Sequence, residues 1–370
     1  MKKLSFSAWA MILFLAALLI LFFVLPRSDY SSTEKRFLAG PPEVTWDSLY
    51  TGDFSEALED YLADHFPGRN LFVGVNAYWN LLTGRGNAGD IYHAKDGYLI
   101  QAPATADTTQ LTATLGKFET FAAANGLPAT LIPVPSTGYL LSDKLPAGSL
   151  PYPDDEAFRV MQETCQSVQL LDLRETLRAA DGQMYYKTDH HLTSRGCFTV
   201  YNAFREARGL AAKPETDYNV SAYPGFHGTT WSSSGYWLNP ADTVEVWDAG
   251  DELTVTITEA GSEDVVTGSP FFLENLEEDD MYTTFLDGNH TIVDVVNPNA
   301  DGGKLLVIRD SFAHCLAPFL ASDYSEILLI DLRYYRGSLS QLAQEHGITE
   351  ILFVYGVSNL LTDTNSAWLF

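Results

Sequence analysis

The candidate nucleophile of this 370-residue chain is Ser311, which directly follows the apolar run of the segment Leu305-Leu-Val-Ile-Arg-Asp-Ser311. The run predicts a buried strand, and the residues after it predict a helix. In an α/β protein such a junction lies at the C-terminal edge of the sheet, where active sites form. A hydroxyl there meets backbone N–H groups and the positive end of a helix dipole, the surroundings that an oxyanion needs.

A base for this hydroxyl is offered by His191, in the block Tyr186-Lys-Thr-Asp-His-His-Leu-Thr193. A serine needs a neighbouring base to remove its proton, and that base must be held in one tautomer, usually by a carboxylate. Asp189 is close enough in sequence to reach the imidazole from a turn. Ser311, His191 and Asp189 therefore form a candidate triad. The competing interpretations are a helix cap at Ser311 and ordinary polar turn residues at the other two positions.

Metal and thiol chemistry are disfavoured. Ligand atoms are offered by Asp189, His190 and His191. However, adjacent histidines rarely point at one ion, and no further group of metal-binding residues accompanies them. Cys315 and Cys197 each fall within a predicted helix, and we interpret both as packing residues. The sequence therefore predicts neither a metal nor a cofactor.

The elements that must position these residues alternate between strand and helix. This pattern is typical of a parallel sheet covered by helices on both faces, so the predicted fold class is α/β. A hairpin is expected over 91–100 and two helices within 46–82. The predicted strands are 129–135, 168–173, 304–308, 326–331 and 350–355, and the predicted helices are 107–125, 154–167, 193–208 and one from Leu339.

The segment 214–303 interrupts this alternation. It contains no Lys or Arg but 18 acidic residues, and it shows β-type alternation at 243–247 and 253–257. We interpret it as an acidic, mostly β insertion. The predicted organisation is a membrane segment (1–26), a linker with helices and a hairpin (27–100), the first part of the α/β domain (101–213), the insertion (214–303) and the second part (304–370).

The N-terminus carries an apolar run from Ala8 to Leu25, preceded by Lys2 and Lys3. Eighteen residues at 1.5 Å each are just enough to cross a bilayer. No signal-peptidase motif follows, which favours an uncleaved anchor over a removed signal peptide. We expect a single-pass protein of the cell membrane with its large domain outside the cytoplasm. A cytoplasmic domain on a membrane tether is the alternative.

Charge excludes one class of partner. The chain has 22 Lys and Arg against 48 Asp and Glu, a formal net charge of −26. A protein this acidic repels a phosphate backbone and has no basic patch with which to release counterions. Nucleic acid is therefore not an expected partner.

Several motifs resemble the bacterial DHHW protein family. The block Lys187-Thr-Asp-His-His-Leu-Thr193 looks like its signature, although Leu192 stands where that signature has Trp. That family is in turn similar to the SGNH-hydrolase-like domain of alginate O-acetylation proteins. Five further segments carry the resemblance, from near residue 30 to the C-terminal part: 32–39, 64–69, 95–99, 309–313 and 330–335.

The resemblance implies a three-layer SGNH-like domain of circularly permuted order, in which the Asp-x-His pair precedes the serine. It maps Asp189, His191 and Ser311 onto those positions. The implied function is O-acetyl transfer to a cell-surface polysaccharide through an acyl-enzyme, with an acetyl donor delivered by a multi-pass membrane partner. Two alternatives stay open: a carbohydrate esterase, and a glycan-binding or assembly protein whose triad is silent.

Substrate contacts are predicted at five side chains around this site. For each there is a plainer interpretation: packing for His190, an ordinary surface position for His227, core packing for Trp231 and Trp237, and fixing of the strand end for Arg309. An indole offers an apolar face that suits a sugar ring. The five are His190, His227, Trp231, Trp237 and Arg309.

Overall fold

A computed structural model describes residues 5–259, 261–262 and 265–370 of the chain, so Lys2 and Lys3 lie outside the described residues. Its helices are α1 Phe6–Val24, α2 Trp46–Thr51, α3 Asp53–Asp64, α4 Arg69–Leu82, α5 Thr108–Asn125, α6 Thr137–Leu140, α7 Asp154–Thr164, α8 Arg174–Ala179, α9 Ser194–Ala207, α10 Thr229–Ser232, α11 Ala313–Leu320, α12 Leu339–His346 and α13 Val357–Thr362.

The strands are more numerous than the sequence predicted. They are β1 Tyr30–Ser31, β2 Arg36–Phe37, β3 Asn87–Ala88, β4 Ile91–His93, β5 Leu99–Gln101, β6 Ala129–Val134, β7 Val168–Leu170, β8 Asn219–Phe226, β9 Asp242–Asp248, β10 Thr254–Thr258, β11 Val265–Gly268, β12 Ile292–Val296, β13 Lys304–Arg309, β14 Glu326–Ile330 and β15 Glu350–Gly356.

The chain divides into two compact units. The first comprises residues 1–88 and 232–237, and the second comprises 89–231 and 238–370. The hairpin of β4 and β5 therefore lies in the second unit, on the far side of a boundary that was predicted after residue 100.

The first unit contains α1, which is long and apolar enough to cross a membrane and has no buried residue. An N-terminal signal sequence would have the same properties, so the anchor remains a prediction. The region 46–82 forms three helices rather than two. Gly52, with φ +94°, ends α2 in the left-handed conformation and so separates it from α3.

The second unit is built on an eight-stranded sheet of order β11-β10-β12-β14-β13-β15-β6-β7. The five strands from β14 to β7 are mutually parallel, and the other three are antiparallel. Alternate residues of the central strands enter opposite cores: Leu305 and Val307 pack with α9 and α11, whereas Leu306 and Ile308 pack with α5, α7, α12 and α13. This is the three-layer α/β arrangement that the sequence predicted.

The acidic segment 214–303 is not a separate layer. Its strands β10, β11 and β12 extend the main sheet, and only β8 and β9 pair apart from it as a two-stranded ribbon. Val255, Ile257, Val293 and Val295 are buried in the same core as the parallel strands. These apolar side chains make the segment part of the α/β domain. Its many carboxylates give it a composition that looks like that of an insertion.

Candidate active site

The structure brings Ser311, His191 and Asp189 together in one hydrogen-bonded chain. His191 Nε2 lies 2.7 Å from Ser311 Oγ, and His191 Nδ1 lies 2.6 Å from Asp189 Oδ1. The Asp189 and His191 side chains are 1% and 7% exposed, whereas Ser311 is half-buried. The imidazole is thus placed to accept the serine proton at one nitrogen while the carboxylate accepts from the other.

The Ser311 turn is held by its neighbour Asp310 at the end of β13. Asp310 Oδ1 accepts a bond from Phe312 N (3.0 Å), and Oδ2 accepts bonds from Gly356 N (2.8 Å) and Asn359 Nδ2 (2.7 Å). The carboxylate therefore ties the turn after β13 to the junction of β15 and α13. Position 356 must be glycine, because a Cβ there would lie 2.5 Å from the Phe312 ring.

The N–H groups expected to stabilise an oxyanion are mostly engaged. Phe312 N donates to Asp310, Ala313 N to the Asp310 carbonyl and His314 N to the Ser311 carbonyl. The turn folds back on itself before α11 starts, so these donors satisfy the turn and do not point into free space. Among the described residues, the backbone N–H of Ser311 itself has no partner and is free to serve.

Asp189 is fixed by bonds to both of its oxygens. Oδ1 also accepts from His191 N (2.9 Å), while Oδ2 accepts from Thr229 N (2.7 Å) and Thr229 Oγ1 (2.8 Å). Burial opposes its ionisation, but the electrostatic influence of the His191 and His190 rings and these hydrogen bonds outweigh it, holding the pKa of the Asp189 carboxyl well below its usual value. Asp189 is therefore an anion fixed in one orientation.

Two residues behind Asp189 shape its loop. Buried Asp242 accepts bonds from Lys187 N (3.0 Å), Thr188 N (2.7 Å) and Thr188 Oγ1 (2.7 Å), which orders the two residues before Asp189. Gly228 lets the carboxylate approach the α10 region, because a Cβ there would lie 2.2 Å from Asp189 Cβ. The loop therefore depends on a distant carboxylate and on a glycine.

The His191 ring is sandwiched by aromatic side chains. Tyr282 stacks on it with centroids 4.1 Å apart at 10°, and its hydroxyl donates to the Ser311 carbonyl at 3.3 Å. Phe312 contacts the ring edgewise at 5.2 Å. The ring has little freedom to turn away from Ser311.

Sequence reasoning missed Thr229, Gly228, Asp242 and Tyr282. The first two stand beside His227, which was predicted as a substrate contact. Asp242 and Tyr282 are far along the chain, in the acidic segment. No local pattern connects either of them with Asp189 or Ser311.

A cleft of about 610 Å³ borders this site. His190 and Phe312, which both contact the His191 ring, are among its lining residues. Much of the remaining wall comes from β5 and the segment after it, from the β6–α6 junction and from the start of α13. The last two follow the C-terminal ends of the parallel strands β6 and β15, where an α/β fold is expected to place a substrate site.

His190 lies between the cleft and the candidate base. Its ring is 4.0 Å from that of His191, and its Nδ1 is 2.8 Å from Thr229 Oγ1. Burial and the His191 charge lower the pKa of His190 to about 4, so the ring is neutral near pH 7. The predicted substrate contact at His190 is compatible with this position and stays a prediction.

His227 and Trp231 stack on each other, with ring centroids 4.2 Å apart. His227 Nε2 is bonded to the Asn239 carbonyl at 3.2 Å. Both side chains are half-buried, and neither is among the residues that line the cleft beside His191. Their mutual packing accounts for both aromatic rings.

Trp237 and Arg309 do not match the predicted substrate contacts. Trp237 lies in the first unit, where its Nε1 donates to the Asn70 carbonyl (2.8 Å). The Arg309 side chain is fully buried, with Nη1 3.6 Å from Asp331 Oδ2. A guanidinium without solvent access cannot meet a polysaccharide, so Arg309 instead fixes the end of β13. Leu192 is likewise buried in the core, where an aromatic side chain could not stack on a sugar.

The ligand atoms of Asp189, His190 and His191 lie within 4.8 Å of one another. Each Asp189 oxygen, however, already accepts two hydrogen bonds, and His190 Nδ1 and both His191 nitrogens are engaged. The cluster is therefore a hydrogen-bond relay and not an open set of metal ligands.

Comparison with known proteins agrees with this architecture. Residues 160–330 match the family model of the DHHW protein, and residues 88–228 match the SGNH hydrolase-like domain described as acetyltransferase AlgX. None of the curated proteins matches the chain.

Two solved structures share the fold. A DHHW family protein from Eubacterium siraeum DSM 15702 aligns with a TM-score of 0.64 at 22% identity, over 74% of this chain and 92% of that one. Bacillus cereus PatB1 with a sulfonyl adduct aligns with a TM-score of 0.64 at 21% identity, over 75% and 97%. The chain therefore matches the DHHW and SGNH hydrolase-like models over these residues and shares the α/β fold of the two structures, which confirms the resemblance evident in its sequence.

Proposed function

We propose that this protein transfers O-acetyl groups to a cell-surface polysaccharide, with Ser311 as nucleophile, His191 as general base and Asp189 as the group that orients it. The observation that carries the proposal is the 2.7 Å contact between His191 Nε2 and Ser311 Oγ, continued by the 2.6 Å contact from Nδ1 to Asp189. A half-buried serine with such a neighbour is an activated nucleophile.

The chemistry proceeds in two acyl transfers. His191 Nε2 takes the proton of Ser311 Oγ as that oxygen attacks the acyl carbon, and the Ser311 N–H stabilises the developing oxyanion. His191 returns the proton to the leaving group, which leaves an acyl-serine. A sugar hydroxyl then gives its proton to His191, attacks the ester and departs as the acetylated product, while Ser311 recovers its proton.

Asp189 supports both halves of this cycle without changing its own charge. Its carboxylate accepts from Nδ1 and stabilises the imidazolium that forms at each proton transfer. The low pKa of the Asp189 carboxyl keeps it ionised over the whole working range of a histidine base.

The comparisons support acyl chemistry of this kind. One matching family model is described as an acetyltransferase. The similar PatB1 fold was solved with a sulfonyl adduct, and a sulfonyl group, like an acyl group, is an electrophile that attaches to an activated nucleophile.

The proposed setting is the outer side of the cell membrane, with α1 as an uncleaved anchor. A polysaccharide assembled there is the acceptor. Because the proposed mechanism needs an activated acetyl donor outside the cytoplasm, we propose a multi-pass membrane protein as the partner that delivers it.

The test uses the full chain in detergent micelles and a chromogenic acetyl ester. We expect turnover that falls by about 10³-fold or more in Ser311→Ala. The matched control is Ser221→Ala, an exposed serine of β8, which should leave the rate unchanged. Added oligosaccharide should increase the turnover, and its mass should increase by that of the transferred acetyl groups. Equal, near-zero rates in wild type and Ser311→Ala would contradict the proposal, and water as the sole acceptor would make the protein an esterase.

A further inference from the structure

The cleft beside His191 is lined by groups that hydrogen-bond but carry no positive charge. Among the described residues that line it, none is Lys or Arg, and the exposed Asp90 is the only one with a carboxylate. The polar side chains of the wall are hydroxyls and amides: Gln101, Thr105, Ser136, Thr137, Thr230, Ser358, Asn359 and Thr362. Such a wall suits hydroxyl-rich ligands.

The carboxylates around the cleft make it unfavourable for anions. Fully buried Asp154 accepts a bond from the backbone of Ser136, a lining residue, at 2.8 Å. Asp310 accepts bonds from Gly356 and Asn359, which also line the cleft. His190, the one lining residue that could become a cation, has its pKa lowered to about 4 and stays neutral.

We infer that this cleft binds an uncharged glycan and discriminates against uronate or other anionic polysaccharides; the inference rests on the proposed function, for which the glycan is the acetyl acceptor. A sugar carboxylate that enters the cleft loses water and finds no guanidinium or ammonium to pair with. The net charge of −26 adds a long-range repulsion. Apolar surface at Leu150, Tyr152 and Phe312 is available for the C–H faces of sugar rings.

The experiment compares two ligands that differ only at C6: β-1,4-mannotetraose and the β-1,4-tetramer of mannuronate. Binding to the full chain in neutral micelles is measured by titration at low salt, without any acyl donor. We expect the neutral tetramer to bind at least about tenfold more tightly, and the difference to shrink as added salt screens the repulsion.

Two variants test whether the cleft is responsible. Gln101→Lys places a cation in the cleft wall and should reduce the preference for the neutral tetramer severalfold. The matched control Gln169→Lys adds the same charge at the exposed position of β7, outside the cleft. It should leave the preference for the neutral tetramer unchanged.

Tighter or equal binding of the uronate, or no binding of either tetramer, would overturn the inference. Equal changes of this preference in Gln101→Lys and Gln169→Lys would also overturn it. Because binding is read without an acyl donor, a protein that prefers the neutral tetramer but forms no acyl-serine would refute the proposed function alone.

Discussion

Strand β13 has a histidine–carboxylate cluster at each end, and the two differ in what surrounds the imidazole. At the C-terminal end, His191 lies between Ser311 and Asp189. At the N-terminal end, Glu326 lies between His346 and Lys304, with Nδ1 and Nζ each 2.5 Å from a Glu326 oxygen. The possible metal-ligand atoms of Asp189, His190 and His191 lie within 4.8 Å of one another, and so do those of Asp294, Glu326 and His346 in the second cluster.

The difference lies in the order of partners along the chain of hydrogen bonds. At the Ser311 end the imidazole is central, 7% exposed, and bonded on one side to a hydroxyl and on the other to an anion. At the Lys304 end the carboxylate is central, its charge is neutralised by an ammonium, and His346 is 31% exposed. Similar residue types thus give a proton relay at one end and an ion-pair network at the other.

The largest expected effect comes from removing each histidine in turn. His191→Ala deletes the proposed base, so ester turnover should fall by about 10³-fold or more. His346→Ala removes a histidine that also faces a carboxylate but contacts no nucleophile, and turnover should be unchanged. Similar losses in both variants would mean that the comparison between the clusters is wrong.

A smaller effect is expected from Gly228→Ala, which crowds the Asp189 carboxylate without removing it. The added Cβ would lie 2.2 Å from Asp189 Cβ, so Asp189 must shift away from His191 Nδ1. Misplacement on this scale costs about 10²-fold in turnover. The control is Gly116→Ala in α5, where a Cβ meets nothing within 4 Å. Unchanged turnover in Gly228→Ala would show that the carboxylate position does not matter.

The smallest effect concerns stability at the other cluster. Burial and the Glu326 charge raise the pKa of Asp294 to about 6. An unfolded Asp titrates near about 3.9, so between pH ~4 and ~6 the folded state holds the extra proton and the free energy of unfolding falls as pH rises. Asp294→Asn should remove this fall, raising Tm relative to wild type by about 2 °C at pH 7 but not at pH 4. A Tm difference independent of pH would contradict the assignment.

Much of the fold could be predicted from periodicity alone. The buried strands β6, β13, β14 and β15 are continuous apolar runs, and their flanking helices show the 3.6-residue repeat. The role of 214–303 could not, because the alternation at 253–257 indicates a strand but not the sheet that this strand joins. Composition reports the solvent-facing residues of a strand, whereas packing is decided by the others.

The site was predictable only where chemistry is local. Asp189 and His191 share one turn and Ser311 follows a strand, so a relay could be proposed from residue types. The supports of that relay, Asp242 and Tyr282, lie 53 and 93 positions after Asp189 and reach the relay only through tertiary contacts. Arg309 was mistaken for a substrate contact because sequence does not show burial: its side chain has no exposed surface.

The most direct test of the account is the mass of the Ser311 peptide after the full chain has reacted with an acetyl ester and been quenched in acid. The account predicts one added acetyl group on Ser311, formed rapidly in the wild type and lost on adding acceptor sugar. It also predicts that His191→Ala forms this adduct at least about 10³-fold more slowly. A wild-type protein that turns over the ester with its acetyl group on another residue, or with none, would contradict it.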